Sequence, residues 1–83
     1  MNPSPINVKP LEDYELLITF ESGEVKIFDV KPLLVYPIYK DLTNKALFST
    51  VKWDNMCVFW NDDIDLCPDM VYEKSREVNK EQR

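Results

Sequence analysis

The sequence predicts an α+β fold: a small antiparallel sheet of five or six strands built from hairpins, with short helices and a C-terminal helix. Three observations lead there. Apolar and polar residues alternate with period two through "YELLITF" (14–20) and again through "VKIFDV" (25–30). The two runs are joined by "ESGE" (21–24), which holds the only glycine of the chain, Gly23, and a tight hairpin needs a residue that accepts positive φ. Later strand patterns also follow one another as hairpins instead of alternating with long helical patterns, which argues against a parallel sheet.

The elements follow in order. "INVKP" is expected to form a strand at about 6–10, bounded by Pro5 and Pro10. Strands at about 13–20 and 24–30 come next. Tyr14, Leu16, Ile18 and Phe20 share one parity, as do Val25 and Ile27, and Glu15, Thr19, Glu24 and Lys26 fall on the opposite one. A short helical turn can start at Pro32 and must stop before Pro37, because proline disfavours helical geometry in the residue before it. A second short helix is placed at 43–48, with Thr43 or Asn44 as N-cap and Leu47 and Phe48 turned inward. "TVKW", "DN" and "MCVFW" read as a further hairpin. Its second strand is apolar on both faces, Met56, Val58 and Trp60 on one and Cys57 and Phe59 on the other, as a central strand would be. A last helix is expected at about 68–78.

At 83 residues the chain is expected to be a single domain spanning 1–83, with its core at about 6–78 and a frayed tail at 79–83. A domain of that size buries roughly 60–65% of the surface its unfolded chain exposes, which leaves little volume for a deep active site. Fifteen acids against ten bases give a net charge of −5, and between Trp53 and Glu73 there are six acids and no Lys or Arg. Phosphate backbones and anionic lipid select clustered bases, so direct nucleic-acid binding is not expected. The longest apolar runs are about five residues, against the ~20 of a membrane helix, so neither a membrane span nor membrane association is expected. "MNPSPINVKP" has no signal-peptide pattern, so Cys57 and Cys67 are expected to be reduced thiols buried as small core residues of a cytoplasmic protein.

Chemistry is concentrated in "WNDDIDLCPDMVY" (60–72), with four carboxylates, one cysteine and no base. Asp62, Asp63 and Asp65 lack the glycine and closing glutamate of a calcium loop. Zinc usually recruits histidine or paired cysteines, and the chain has no histidine and no CxxC. Neither a metal nor a cofactor is expected. Catalysis by Cys67 would need a base, and the commonest one is absent. The structural reading accounts for each residue. Trp60 ends a strand, "NDD" turns with Asp62 exposed, and "IDL" returns as a short strand. Pro68 opens a helix with Asp69 in its first turn, where the helix dipole favours negative charge. Val71, Tyr72 and Val78 then pack that helix on the sheet, with Lys74 and Arg76 toward its C-terminal end. Asp65, on the opposite face from Ile64 and Leu66, is expected to brace the turn against the helix through its carboxylate.

"YELLITFESGEVKIFDVKPLL" followed by "LFSTVKWDNMCVFWNDDIDLCPDMVYEKS" resembles the prokaryotic domain of unknown function 2442 (DUF2442) over about residues 6–75. Gly23, Asp29, Leu33, Leu34, Phe48, Trp60, Asn61, Asp65, Pro68, Asp69 and Tyr72 occupy the family's pattern positions. The turn glycine usual in the family's ending is replaced within "NDD", and Val71 stands where leucine is common. The resemblance implies an α+β fold. Some members are fused to a helix-turn-helix domain, and some resemble partners in toxin–antitoxin-like gene pairs.

From these readings the expected role is a small, non-enzymatic interaction domain, binding a protein partner or itself. It would serve as an accessory or regulatory component of a toxin–antitoxin-like or transcription-linked system. The candidate motif is Trp60, Asn61, Asp65, Pro68, Asp69 and Tyr72, and no residue is assigned as catalytic. The competing expectation is a small enzyme or ligand-binding protein that uses Asp65, Cys67 and Asp69 beside the last helix. A functional Cys67 would label fast at neutral pH, and a core Cys67 only after unfolding.

Overall fold

The first hairpin fixes the frame of the molecule. The computed structural model describes residues 2–54, 57–61 and 63–78. Strand β1 (Pro5–Pro10) pairs antiparallel with β2 (Glu15–Phe20), which pairs with β3 (Val25–Asp29). Gly23 has φ +93°, and its N–H donates to the Phe20 carbonyl at 2.9 Å while Phe20 N–H donates to Glu24 at 2.9 Å. The chain's one glycine therefore closes the turn with the left-handed geometry that the hairpin requires. β1 carries a bulge between Pro5 and Asn7, so Pro5 and Val8 are buried while Ile6, Asn7 and Lys9 face out.

β2 begins at Glu15, not at residue 13. Glu12–Tyr14 form a 3-10 turn in which Asp13 (φ 64°) and Tyr14 (φ 59°) are both left-handed. The pair is held by Leu11 N–H to Glu15 O at 2.8 Å, Val30 N–H to Tyr14 O at 2.9 Å, and the Tyr14 hydroxyl to Thr43 O at 2.6 Å. Leu16, Ile18 and Phe20 are fully buried as their parity predicts. On β3 the expected parity is reversed. The register sets Leu16 opposite Phe28 and Ile18 opposite Lys26, so Phe28 and Lys26 share the core face and Val25 and Ile27 lie half-buried on the other.

After β3 come two 3-10 segments, Lys31–Leu33 and Pro37–Thr43, the first where expected and the second opened by Pro37. Helix α1 (Lys45–Phe48) is capped by Asn44, whose Oδ1 accepts from Ala46 N–H at 2.9 Å and Leu47 N–H at 3.4 Å. β4 (Lys52–Trp53), β5 (Val58–Phe59) and β6 (Asp65–Leu66) form a second antiparallel sheet with β5 in the centre. Asp54 and Cys57 close its first hairpin, Asp54 N–H donating to Cys57 O at 3.0 Å and Cys57 N–H to Asp54 Oδ1 at 2.8 Å.

Helix α2 (Pro68–Lys74) starts at Pro68 as expected but ends four residues short of the predicted 78. Ser75 leaves helical geometry (φ −81°, ψ 158°), and Arg76–Glu77 become strand β7, paired antiparallel with β3. Pairing with the open side of β3 satisfies backbone groups that a solvated last turn would leave to water, and Arg76 reaches Glu15 at 3.1 Å. The expected single sheet of five or six strands is therefore two antiparallel sheets among the described residues, ordered β1-β2-β3-β7 and β4-β5-β6, with short helices between them. They approach one another where β4 passes β1.

The buried apolar residues form one cluster, from Val8, Leu16, Ile18, Phe20, Phe28 and Val30 of the first sheet to Val58, Ile64 and Leu66 of the second, with Phe48 and Trp60 in contact. No helix among the described residues is long and apolar enough to cross a membrane.

Candidate functional site

The six residues of the 60–72 motif do not converge on one site. Trp60 is 2% exposed, its indole N–H donates to the Phe48 carbonyl at 2.9 Å, and its ring lies 6.0 Å from that of Phe48. Asn61 braces the turn between β5 and β6, Oδ1 accepting from Asp63 N–H at 2.8 Å and Ile64 N–H at 3.0 Å. The role expected of Asp65 therefore belongs to Asn61. Asp65 does lie opposite buried Ile64 and Leu66, but it is exposed, its carboxylate is in no hydrogen bond among the described residues, and its backbone carbonyl accepts from the Tyr39 hydroxyl at 3.3 Å. An amide oxygen next to the turn reaches two N–H groups that a carboxylate on the strand cannot. The expectation for Asp62 lies outside the described residues.

Pro68 and Asp69 open α2, and the Asn2 side chain donates to both Asp69 Oδ1 and Glu73 Oε2 at 3.2 Å. Cys67 is exposed at the N-cap of α2, where its thiol makes no capping hydrogen bond, and Cys57 is half-buried, so neither is the core residue expected. Leu66 and Val71 take the inward positions on either side, which leaves Cys67 facing water. Burial, with Asp54 and Asp65 nearby, pushes the Cys57 thiol above its ordinary pKa, against thiolate chemistry there. Among the described residues no group of three or more His, Cys, Asp or Glu is arranged to hold a metal.

Tyr72 belongs to a constellation the sequence did not reveal. Its hydroxyl donates to Glu24 Oε1 at 2.7 Å and its ring meets Phe20 edge-on at 5.1 Å. Lys26, inward on β3, places its ammonium 4.1 Å from the Tyr72 ring centroid and donates to the Tyr72 carbonyl at 2.9 Å. The Tyr72 and Ser22 hydrogen bonds hold the Glu24 carboxyl below the usual carboxylate range, and the same Glu24 bond, with burial, raises the Tyr72 phenol. The only sequence sign was a lysine at a core-face position of β3, visible once the register is known. This cluster fastens α2 to the hairpin.

Two surface features among the described residues combine exposure with a braced support. The first is a ridge between the 3-10 segments, where Val35 is 79% exposed, Tyr36 54% and Ile38 56%. Backbone bonds Leu34 N–H to Lys31 O, Tyr36 N–H to Leu33 O and Tyr39 N–H to Tyr36 O hold it in shape, and half-buried Leu33, Leu34 and Tyr39 pack its base on the core. The second is a cleft of about 280 Å³ beside the left-handed Asp13–Tyr14 pair, lined among others by Glu12, Asp13, Tyr14, Lys45 and Phe48.

No curated protein and no solved structure matches the chain. A family model described as "Protein of unknown function (DUF2442)" matches residues 5–77, which places the half-buried Glu24–Lys26–Tyr72 fastening and the Trp60–Asn61 turn inside the shared domain. The chain belongs to the DUF2442 family.

Proposed function

We propose that this chain is a small, non-enzymatic interaction domain that docks a protein partner, or a second copy of itself, through the Val35–Tyr36–Ile38 ridge. Three large apolar side chains held outward on a braced segment are the observation that carries the reading. Water-exposed apolar groups placed together on a rigid support mark association surfaces more often than they serve the isolated fold. The acidic balance of −5 favours a basic partner and disfavours nucleic acid. An accessory role in a toxin–antitoxin-like or transcription-linked pair, in the cytoplasm, suits that combination.

Sedimentation across a dilution series, alone and with the products of neighbouring genes, tests it. The expected result is a concentration-dependent complex that the double substitution Val35→Asp, Ile38→Asp abolishes while the circular dichroism spectrum is retained. A chain that stays monomeric and binds no neighbour's product, or a complex indifferent to the double substitution, overturns the proposal.

A further inference from the structure

The cleft beside Tyr14 is built from parts that ask for a cation. Glu12 and Asp13 lie on its wall, and neither carboxylate is taken up in a salt bridge among the described residues. Lys31 gives its ammonium to the Asp13 carbonyl at 2.9 Å and to the Asp29 and Glu15 carboxylates, and feels the Asp13 carboxylate only as a weaker charge beside Asp29. Tyr14 and Phe48 supply the aromatic part, their rings edge-to-face at 5.4 Å. The Tyr14 ring already draws a cation from this chain, because the Lys45 ammonium stands over it at 5.8 Å. That distance is at the outer limit of an effective cation–π contact, and Lys45 is exposed and in no salt bridge among the described residues. Lys45 is a loosely held occupant.

A guanidinium suits this place better than an ammonium. It is planar and weakly hydrated, stacks on aromatic rings, and presents a fork of donors to carboxylates. A volume of about 280 Å³ admits one long side chain and is small for a drug-sized ligand. We propose that the cleft receives the guanidinium of an arginine from a partner protein, stacked on Tyr14 in place of Lys45 and paired with the Glu12 and Asp13 carboxylates. The source of the arginine rests on the interaction-domain reading, but the chemistry of the cleft does not.

The test is an amide-resolved NMR titration of the whole chain with an N-acetyl-Gly-Arg-Gly amide peptide, its citrulline counterpart, and free arginine. The expected result is saturable shifts confined to Leu11–Tyr14 and Lys45–Ser49 with the arginine peptide at a Kd on the order of millimolar, no tighter binding with free arginine, whose α-carboxylate is disfavoured beside Glu12 and Asp13, and none with citrulline. Glu12→Gln with Asp13→Asn weakens binding about tenfold or more, and asparagine accepts the left-handed backbone at 13. Lys45→Gln removes the competitor and tightens binding about two- to fivefold. Val35→Asp with Ile38→Asp leaves the titration unchanged, so a failed ridge and a failed cleft are told apart. Equal shifts with citrulline, or no saturable shift, overturn the proposal. Tighter binding of free arginine than of the peptide assigns the cleft to a small zwitterion and overturns the partner-protein source.

Discussion

The Tyr72 hydroxyl on α2 donates a 2.7 Å hydrogen bond to the Glu24 carboxylate, 48 residues earlier in the chain. Its effect on stability depends on pH at both ends of the scale. The Glu24 carboxyl is lowered from its ordinary 4.5, so its stabilisation is full above that value and is lost as pH falls through the folded-state pKa. The Tyr72 phenol is raised from its ordinary 10.0, so its stabilisation is full below that value and is lost as pH rises through the folded-state pKa. Tyr72→Phe is expected to lower Tm at neutral pH and to differ less from wild type below about pH 4 and above about pH 10. Thermal melts across that range check it. A constant difference at all pH values would assign the loss to packing instead.

Asn61 and Asp65 offer a direct comparison. Asn61→Ala removes the acceptor of two backbone N–H groups and should cost about 1–2 kcal/mol. Asp65→Asn, at an exposed position, should cost less than about 0.5 kcal/mol. Urea unfolding of the two variants must show that order.

Trp60→Phe leaves the Phe48 carbonyl without its indole donor in a buried place. Lost hydrogen bond and lost volume together should cost about 2–4 kcal/mol. Chemical denaturation with an unchanged m-value is the measurement.

Two of the three left-handed residues, Gly23 and Asp13, should respond in opposite directions. Gly23→Ala puts a Cβ on a residue at φ +93°, with open space around it, and should cost about 1 kcal/mol through backbone strain alone. Asp13→Gly relieves the strain at φ 64° and should raise stability by about 0.5 kcal/mol once the greater freedom of glycine in the unfolded chain is subtracted. Differential scanning calorimetry of both variants decides the signs.

The sequence disclosed most of what depends on neighbours along the chain. Gly23, the alternation of β2, a cap at Thr43 or Asn44, the central position of β5 and the proline start of α2 all follow from local chemistry, and the structure has them, with Asn44 as the cap. What stayed hidden depends on pairing. Lys26 reads as solvent-facing until Ile18 is found opposite it, and only Tyr72 arriving from α2 makes that position tenable. The α2 end at Lys74 was likewise illegible, because Arg76–Glu77 have ordinary helical composition and become strand only with β3 alongside. In the 60–72 motif, residue types predicted a turn and a helix start correctly. They misassigned the brace to Asp65 and the core to Cys67, since which side chain reaches which N–H is set by geometry beyond the spacing.

β7 is only two residues long, yet it closes the side of β3 that faces away from β2. Chain cleavage after Ser75, by a protease or an early stop codon, would leave the core of the first sheet intact and uncover a row of unsatisfied hydrogen-bonding groups along Val25–Ile27. Such a fragment is a template onto which a second fragment can add edge to edge. The last few residues of the fold act as a guard against polymerisation, and a truncated chain should fail by forming fibres or precipitate before it fails by unfolding.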